Sequence, residues 1–133
     1  MAEGPLVAVL ADDLIWATRL DRVVRDAGGR PLPVGTLDAL DRVLAGDGGQ
    51  GRSLLPAGVV IDLTGRAYDG IDAVRLAAAR GAPVVAVGQH DDRAGREAAR
   101  SAGASEVHAY ARLFAAGPKV LGAWIAGLSG GRE

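Results

Sequence analysis

Short aliphatic runs alternate along this chain with longer stretches in which apolar residues are spaced three and four apart. Residues 6–10 form an apolar run that stops at Ala11-Asp12-Asp13, which predicts a buried strand. Asp13 then opens a helix with apolar positions Ile15, Leu20, Val23, Val24 and Ala27, and Gly28-Gly29 stops it. Residues 32–34 predict a second strand, placed at a sheet edge by Pro31 and Pro33, because proline cannot donate to a ladder. Thr36 predicts the N-cap of a short helix bearing Leu37, Leu40, Val43 and Leu44. Residues 45–53 are Gly-rich and polar and predict a loop.

Val59-Val60-Ile61 is the strongest strand signal and ends at Asp62. Asp69-Gly70 leads into a helix carrying Ile71, Val74, Leu76 and Ala77, and residues 83–87 predict a fourth strand. Residues 91–102 predict a polar helix with a thin apolar face, stopped by Gly103. Val107 begins a fifth strand, and Pro118 opens a last helix through Leu128. Five strands alternating with five helices predict an α/β fold, a doubly wound parallel sheet in one domain over residues 1–133 with its core at about 5–128.

Composition narrows the class. The apolar share of 49% is mostly aliphatic, with aromatic residues at 4%, which suits a parallel sheet buried on both faces. Fifteen basic residues nearly balance sixteen acidic ones, so a nucleic-acid partner is not expected. The absence of cysteine excludes disulfides, thiolate metal sites and cysteine nucleophiles. No apolar run approaches membrane-spanning length and no signal peptide is visible, so a cytoplasmic protein without a membrane partner is expected.

The candidate chemistry is acidic. Asp12 and Asp13 follow the first strand and Asp62 follows the third. In a sheet of order 2-1-3-4-5 those strands are neighbours at the switch point, where ligands bind beyond the carboxyl ends. Three crowded carboxylates repel unless a cation holds them, and a hard oxygen site with few protein ligands suits weak binding of Mg²⁺. On this reading Asp62→Asn, in the metal-free protein, is expected to stabilise the fold.

These residues carry a family resemblance. The stretch from Val7 to Asp13 resembles the first strand and acidic pair of bacterial response-regulator receiver domains. Val59-Val60-Ile61-Asp62-Leu63-Thr64-Gly65, with Asp69-Gly70 seven and eight residues after Asp62, is similar to the strand and loop of their phospho-accepting aspartate. Ala82-Pro83 with the run after it resembles their fourth strand, and Ala102-Gly103-Ala104-Ser105 the turn before the fifth. The resemblance implies a flavodoxin-like fold, with Asp62 as phosphoacceptor. Asp12, Asp13, Asp62 and the backbone carbonyl of Thr64 would be the magnesium ligands. It implies a non-enzymatic module of two-component signalling or a phosphorelay, acting on a protein partner such as a histidine kinase or a downstream effector. No output domain fits after residue 128, so a stand-alone module is expected.

The pattern breaks at the switch. The family's Ser/Thr at the end of strand four falls on Gly88, and its switch aromatic in strand five falls on Val107. Its lysine falls on Tyr110 by counting from Gly103, or on Arg112 if two residues are inserted, with Phe114 then at an aromatic position. Lys119 lies too far along the last helix, and an arginine does not replace an ammonium by default. Hence the resemblance implies an atypical receiver, or a phosphorylation-independent pseudo-receiver.

Other signals are weaker. Gly46, Gly48 and Gly51 match G-x-G-x-x-G, but no strand precedes them, so a loop is expected. His90-Asp91-Asp92 is read as a helix start and not as a metal cluster. Trp16 is read as a half-buried helix residue, the alternative being one that plugs or flanks the pocket. Val120, Leu121, Trp124, Ile125 and Leu128 form an apolar stripe. The resemblance implies that helix four, strand five and helix five form the face where partners or a second copy dock, so any exposed part of the stripe there would suggest a homodimer. Two other classes compete. A haloacid-dehalogenase-like phosphotransfer enzyme needs a lysine, and an acidic pair after the nucleophile, which this order does not supply. A flavodoxin-like binder of a small ligand needs a hydroxyl-rich loop after strand one, and that is absent too.

Overall fold

The computed structural model describes residues 4–46 and 55–128. Five parallel strands, β1 (Leu6–Leu10), β2 (Arg30–Val34), β3 (Gly58–Asp62), β4 (Val84–Gly88) and β5 (Glu106–Ala109), are ordered β2-β1-β3-β4-β5. Five helices alternate with them, the last following β5: α1 (Leu14–Asp26), α2 (Leu37–Leu44), α3 (Gly70–Ala79), α4 (Arg93–Ala102) and α5 (Tyr110–Leu128). This is the doubly wound sheet that the alternation predicts.

The side-chain alternation of the central strands divides the core between two faces. Ala8, Leu10, Val59, Ile61, Val84 and Ala86 pack with Leu40 and Leu44 of α2, Val74 and Ala77 of α3 and Ala99 of α4. Val7, Val9, Val60, Val85 and Val87 pack on the other face with Leu20, Val23 and Val24 of α1 and with Leu113, Leu121 and Ile125 of α5. Because both faces are covered, every residue of β1, β3 and β4 is buried, and these strands read as continuous apolar runs. Pro31 and Pro33 lie in the edge strand β2, opposite Val7 and Val9.

Local capping sets the helix starts. Asp13 caps α1 by accepting from the amides of Ile15 (2.9 Å) and Trp16 (3.1 Å). Thr36, Asp69 and Asp92 cap α2, α3 and α4 in the same way. Gly70 is required for packing, since a Cβ there would lie 2.9 Å from the Leu63 backbone.

Three details depart from the sequence reading. Ile15 is 67% exposed, and with Leu14 it projects away from the core, so the buried stripe of α1 begins at Leu20. The last helix begins at Tyr110, eight residues before Pro118, and is broken at Ala116 (φ −139°, ψ 33°). Pro118 has no N–H to give to the preceding turn, and its ring crowds that turn, so residues 110–115 are a short helical segment of their own. The polar helix α4 starts at Arg93, and Asp91 lies outside it. Most of the 45–53 loop and of the Gly46–Gly51 match lies outside the described residues.

Candidate functional site

The register brings the carboxyl ends of the central strands level. Leu10 is opposite Ile61, Asp62 is opposite Val87, and Gly88 is opposite Ala109. The turns that follow these ends therefore share one rim of the sheet, and every candidate residue except Val107 lies in or beside them. Val107 is buried with the side chains of α2, α3 and α4.

Asp62 is 1% exposed and is the one buried charged side chain among the described residues. Its Oδ1 accepts from the Thr64 amide (3.0 Å), from the Thr64 hydroxyl (2.8 Å) and from the Tyr110 hydroxyl. The Thr64 and Tyr110 hydroxyls are themselves 2.7 Å apart. Its Oδ2 is buried with no hydrogen-bond partner among the described residues, and such an atom carries a desolvation cost.

The acidic pair is also engaged. Asp12 Oδ2 accepts from the amides of Arg66 (2.7 Å) and Ala67 (2.5 Å), which ties the loop after β3 to the end of β1. Asp13 spends its Oδ1 on capping α1. Both line an open cavity of about 500 Å³ together with Trp16, Thr64, Arg66 and Gln89, and Asp62 is not among its walls. Each carboxylate thus has its own donors, and the expected crowding of three bare charges is not what this rim contains.

That arrangement does not fit the magnesium site implied by the resemblance. Among the described residues no three His, Asp or Glu side chains come together as ligands. One oxygen of Asp12 and one of Asp13 are turned to backbone amides, and Asp62 is closed off behind Thr64 and Tyr110. Thr64 faces Asp62 with its hydroxyl, a contact that the sequence reading did not foresee.

Of the two positions counted for the lysine, Tyr110 bonds Asp62, while Arg112, two residues on, is exposed. Burial, and after it the hydrogen bond to Asp62, pushes the Tyr110 phenol well above its ordinary range, so it is a neutral donor. Its ring stacks on Trp16 at 4.5 Å, and Trp16 stacks on Phe114 at 5.5 Å. The Arg19 guanidinium lies 5.4 Å from both the Trp16 and the Phe114 ring centres. Trp16 is therefore a wall of the site and not merely a half-buried helix residue.

A second tyrosine, which sequence reasoning missed, holds the loop from below. The Tyr68 hydroxyl donates to the Asp62 carbonyl (2.7 Å) and lies 3.2 Å from the Leu10 carbonyl, joining the ends of β1 and β3. A Cβ on Gly65 would fall within 2.2 Å of the Tyr68 ring. A lone tyrosine three residues after a glycine, inside an otherwise polar turn, was the available signal.

At Gly88 a Cβ would meet Leu63 at 3.3 Å and Arg96 at 3.9 Å, so no hydroxyl faces Asp62 from β4. Asp92 caps α4, and the His90 carbonyl accepts from Arg96 Nη2 (2.7 Å), as the helix-start reading expects.

No family model and no curated protein matches this chain. Solved structures do. A phosphorylated cyanobacterial phytochrome response regulator superposes with a TM-score of 0.76 at 11% identity, covering 93% of this chain and 96% of the other. A LuxR-family two-component response regulator from an Aurantimonas species gives 0.74 at 23%, covering 93% and 86%. A response regulator receiver protein from Burkholderia phymatum gives 0.71 at 25%, covering 94% and 95%. These likenesses extend over nearly the whole length of each chain, and they show that this chain has the receiver-domain fold.

Proposed function

From that fold and its occupied pocket, we propose that this protein is an atypical receiver-type signalling module that acts by protein contact without phosphoryl transfer to Asp62. The observation that carries the proposal is the state of Asp62. One oxygen is held by Thr64 and Tyr110, and the other is buried, so neither is presented to a phosphodonor. The acidic pair that would steady a cation is committed to the amides of Arg66 and Ala67 and to the start of α1.

The missing grip on phosphate supports the same reading. A ligand shifts a two-state equilibrium only through contacts that differ between the states. With Gly88 lacking a side chain and an uncharged phenol in the lysine place, a phosphoryl group has few such contacts to make. The proposed role is accordingly non-enzymatic. A histidine kinase or an effector are the proposed classes of partner, and α4, β5 and α5 together are the proposed docking face for a partner or a second copy. Among the described residues no helix is long and apolar enough to cross a membrane.

Intact-protein mass spectrometry after incubation with phosphoramidate and Mg²⁺ tests the proposal. The mass is expected to stay unchanged. A stoichiometric gain of one phosphoryl group, abolished in Asp62→Asn, would overturn it.

A further inference from the structure

We infer that the Tyr110 ring is a displaceable plug, which closes Asp62 to solvent over the turn held by Thr64 and has a neighbouring cavity to withdraw into. The inference rests on the closed pocket of the preceding reading, and adds which group closes it and along which route it opens.

The contacts assign the closing role to one side chain. Thr64 belongs to the same turn as Asp62, and it donates from both its amide and its hydroxyl without leaving that turn. Tyr110 reaches Asp62 from 48 residues away, at the junction of β5 and α5, and donates to it while its hydroxyl lies 2.7 Å from that of Thr64. It is the one side chain from outside the β3–α3 turn that hydrogen-bonds this carboxylate among the described residues.

Of the two cavities beside Trp16, one borders Tyr110. The cavity bounded by Asp12, Asp13 and Thr64 does not include Tyr110 in its lining. A second cavity of about 340 Å³ does, along with Arg19, His90 and Phe114. Trp16 and Gln89 line both, so the indole stands between them. Rotation of the phenol towards the second cavity breaks its hydrogen bond to Asp62 and slides the ring off Trp16, leaving Asp62 facing the first.

The movement asks only for the side chain to turn. Leu113, in the same segment before the break at Ala116, stays anchored in the core with Leu121 and Ile125. Trp16 is the outer hold on the ring, through the stack at 4.5 Å, and it is only partly buried itself.

Carboxyl labelling with a water-soluble carbodiimide and an amine, mapped by peptide mass spectrometry, reads the exposure of Asp62 without any metal or phosphodonor. In the wild type, Asp62 is expected to stay unlabelled while the exposed Asp38 is labelled. In Tyr110→Ala, Asp62 is expected to label as readily as Asp38, and in Trp16→Ala to an intermediate extent. Amide exchange of β3 should be unchanged in both, which separates plug removal from global opening. A folded Tyr110→Ala protein whose Asp62 stays protected overturns the inference while leaving the closed pocket intact. Labelling of Asp62 in the wild type instead overturns the closed pocket itself. Should Tyr110→Ala fail to fold, Trp16→Ala decides alone, and Asp62 protection equal to wild type would overturn the plug.

Discussion

The Tyr110 hydroxyl donates to Asp62 Oδ1 while lying 2.7 Å from the Thr64 hydroxyl, so a phenol and a threonine share one buried carboxylate oxygen. A phenol supplies one hydrogen and no charge, where an ammonium would supply three hydrogens and a charge. The pairing therefore stabilises the pocket without preparing it to hold an anion. Tyr110→Phe keeps the stack on Trp16 and removes only the hydroxyl. It is expected to lower stability by about 1–3 kcal/mol, because a buried charged acceptor loses a donor. Urea unfolding followed by Trp fluorescence measures this, and a variant as stable as wild type would show the contact to be dispensable.

The same network sets the sign for Asp62→Asn. Charge crowding predicts a gain in stability, but Asp62 accepts three hydrogen bonds and has no carboxylate beside it that lacks donors of its own. An amide oxygen accepts these bonds more weakly, and the new NH₂ would sit where Oδ2 has no partner. A loss of about 1–3 kcal/mol is expected, measured as a lower melting temperature in metal-free buffer. A higher one would restore the crowding argument.

Gly65 and Tyr68 should couple energetically. A Cβ at position 65 meets the Tyr68 ring at 2.2 Å, and that ring is fixed by the bonds of its hydroxyl to the ends of β1 and β3. Gly65→Ala is expected to cost about 1–3 kcal/mol by overpacking. In a Tyr68→Ala background most of that cost should vanish. A double-mutant cycle in urea gives the coupling directly, and additive effects would mean that the turn absorbs the methyl elsewhere.

Asp21, on α1, offers a pH-dependent case. Desolvation raises its pKa above 3.8, opposed by the nearby Arg25 charge, and its Oδ1 is buried without a hydrogen-bond partner among the described residues. A folded-state pKa above the unfolded one favours folding fully below the unfolded value, and that contribution is lost as pH rises through the folded one. At neutral pH the charged carboxylate thus works against the fold. Asp21→Asn is expected to melt higher than wild type at neutral pH, with the gap closing as pH falls below 3.8. A gap that is constant with pH would assign the effect to packing and not to charge.

Much of this molecule follows from local chemistry alone. The aliphatic runs of β1, β3 and β4 are legible because strands covered on both faces need apolar residues at every position. The starts of α1, α2 and α3 are legible because Asp13, Thr36 and Asp69 cap within three residues of themselves. That Asp62 ends β3 near Asp12 and Asp13 also follows from element order. What each carboxylate bonds was decided by tertiary structure. The donors to Asp12 are the amides of Arg66 and Ala67, and the Tyr110 donor to Asp62 comes from beyond β5. Such partners depend on how loops fold back over the sheet, which no periodicity records. The choice between Tyr110 and Arg112 depended on where β5 ends and α5 begins. A shift of two residues there turns a buried ring into an exposed guanidinium, and the boundary goes with long-range contacts: the β4–β5 register, the bond of Tyr110 to Asp62 and its stack on Trp16.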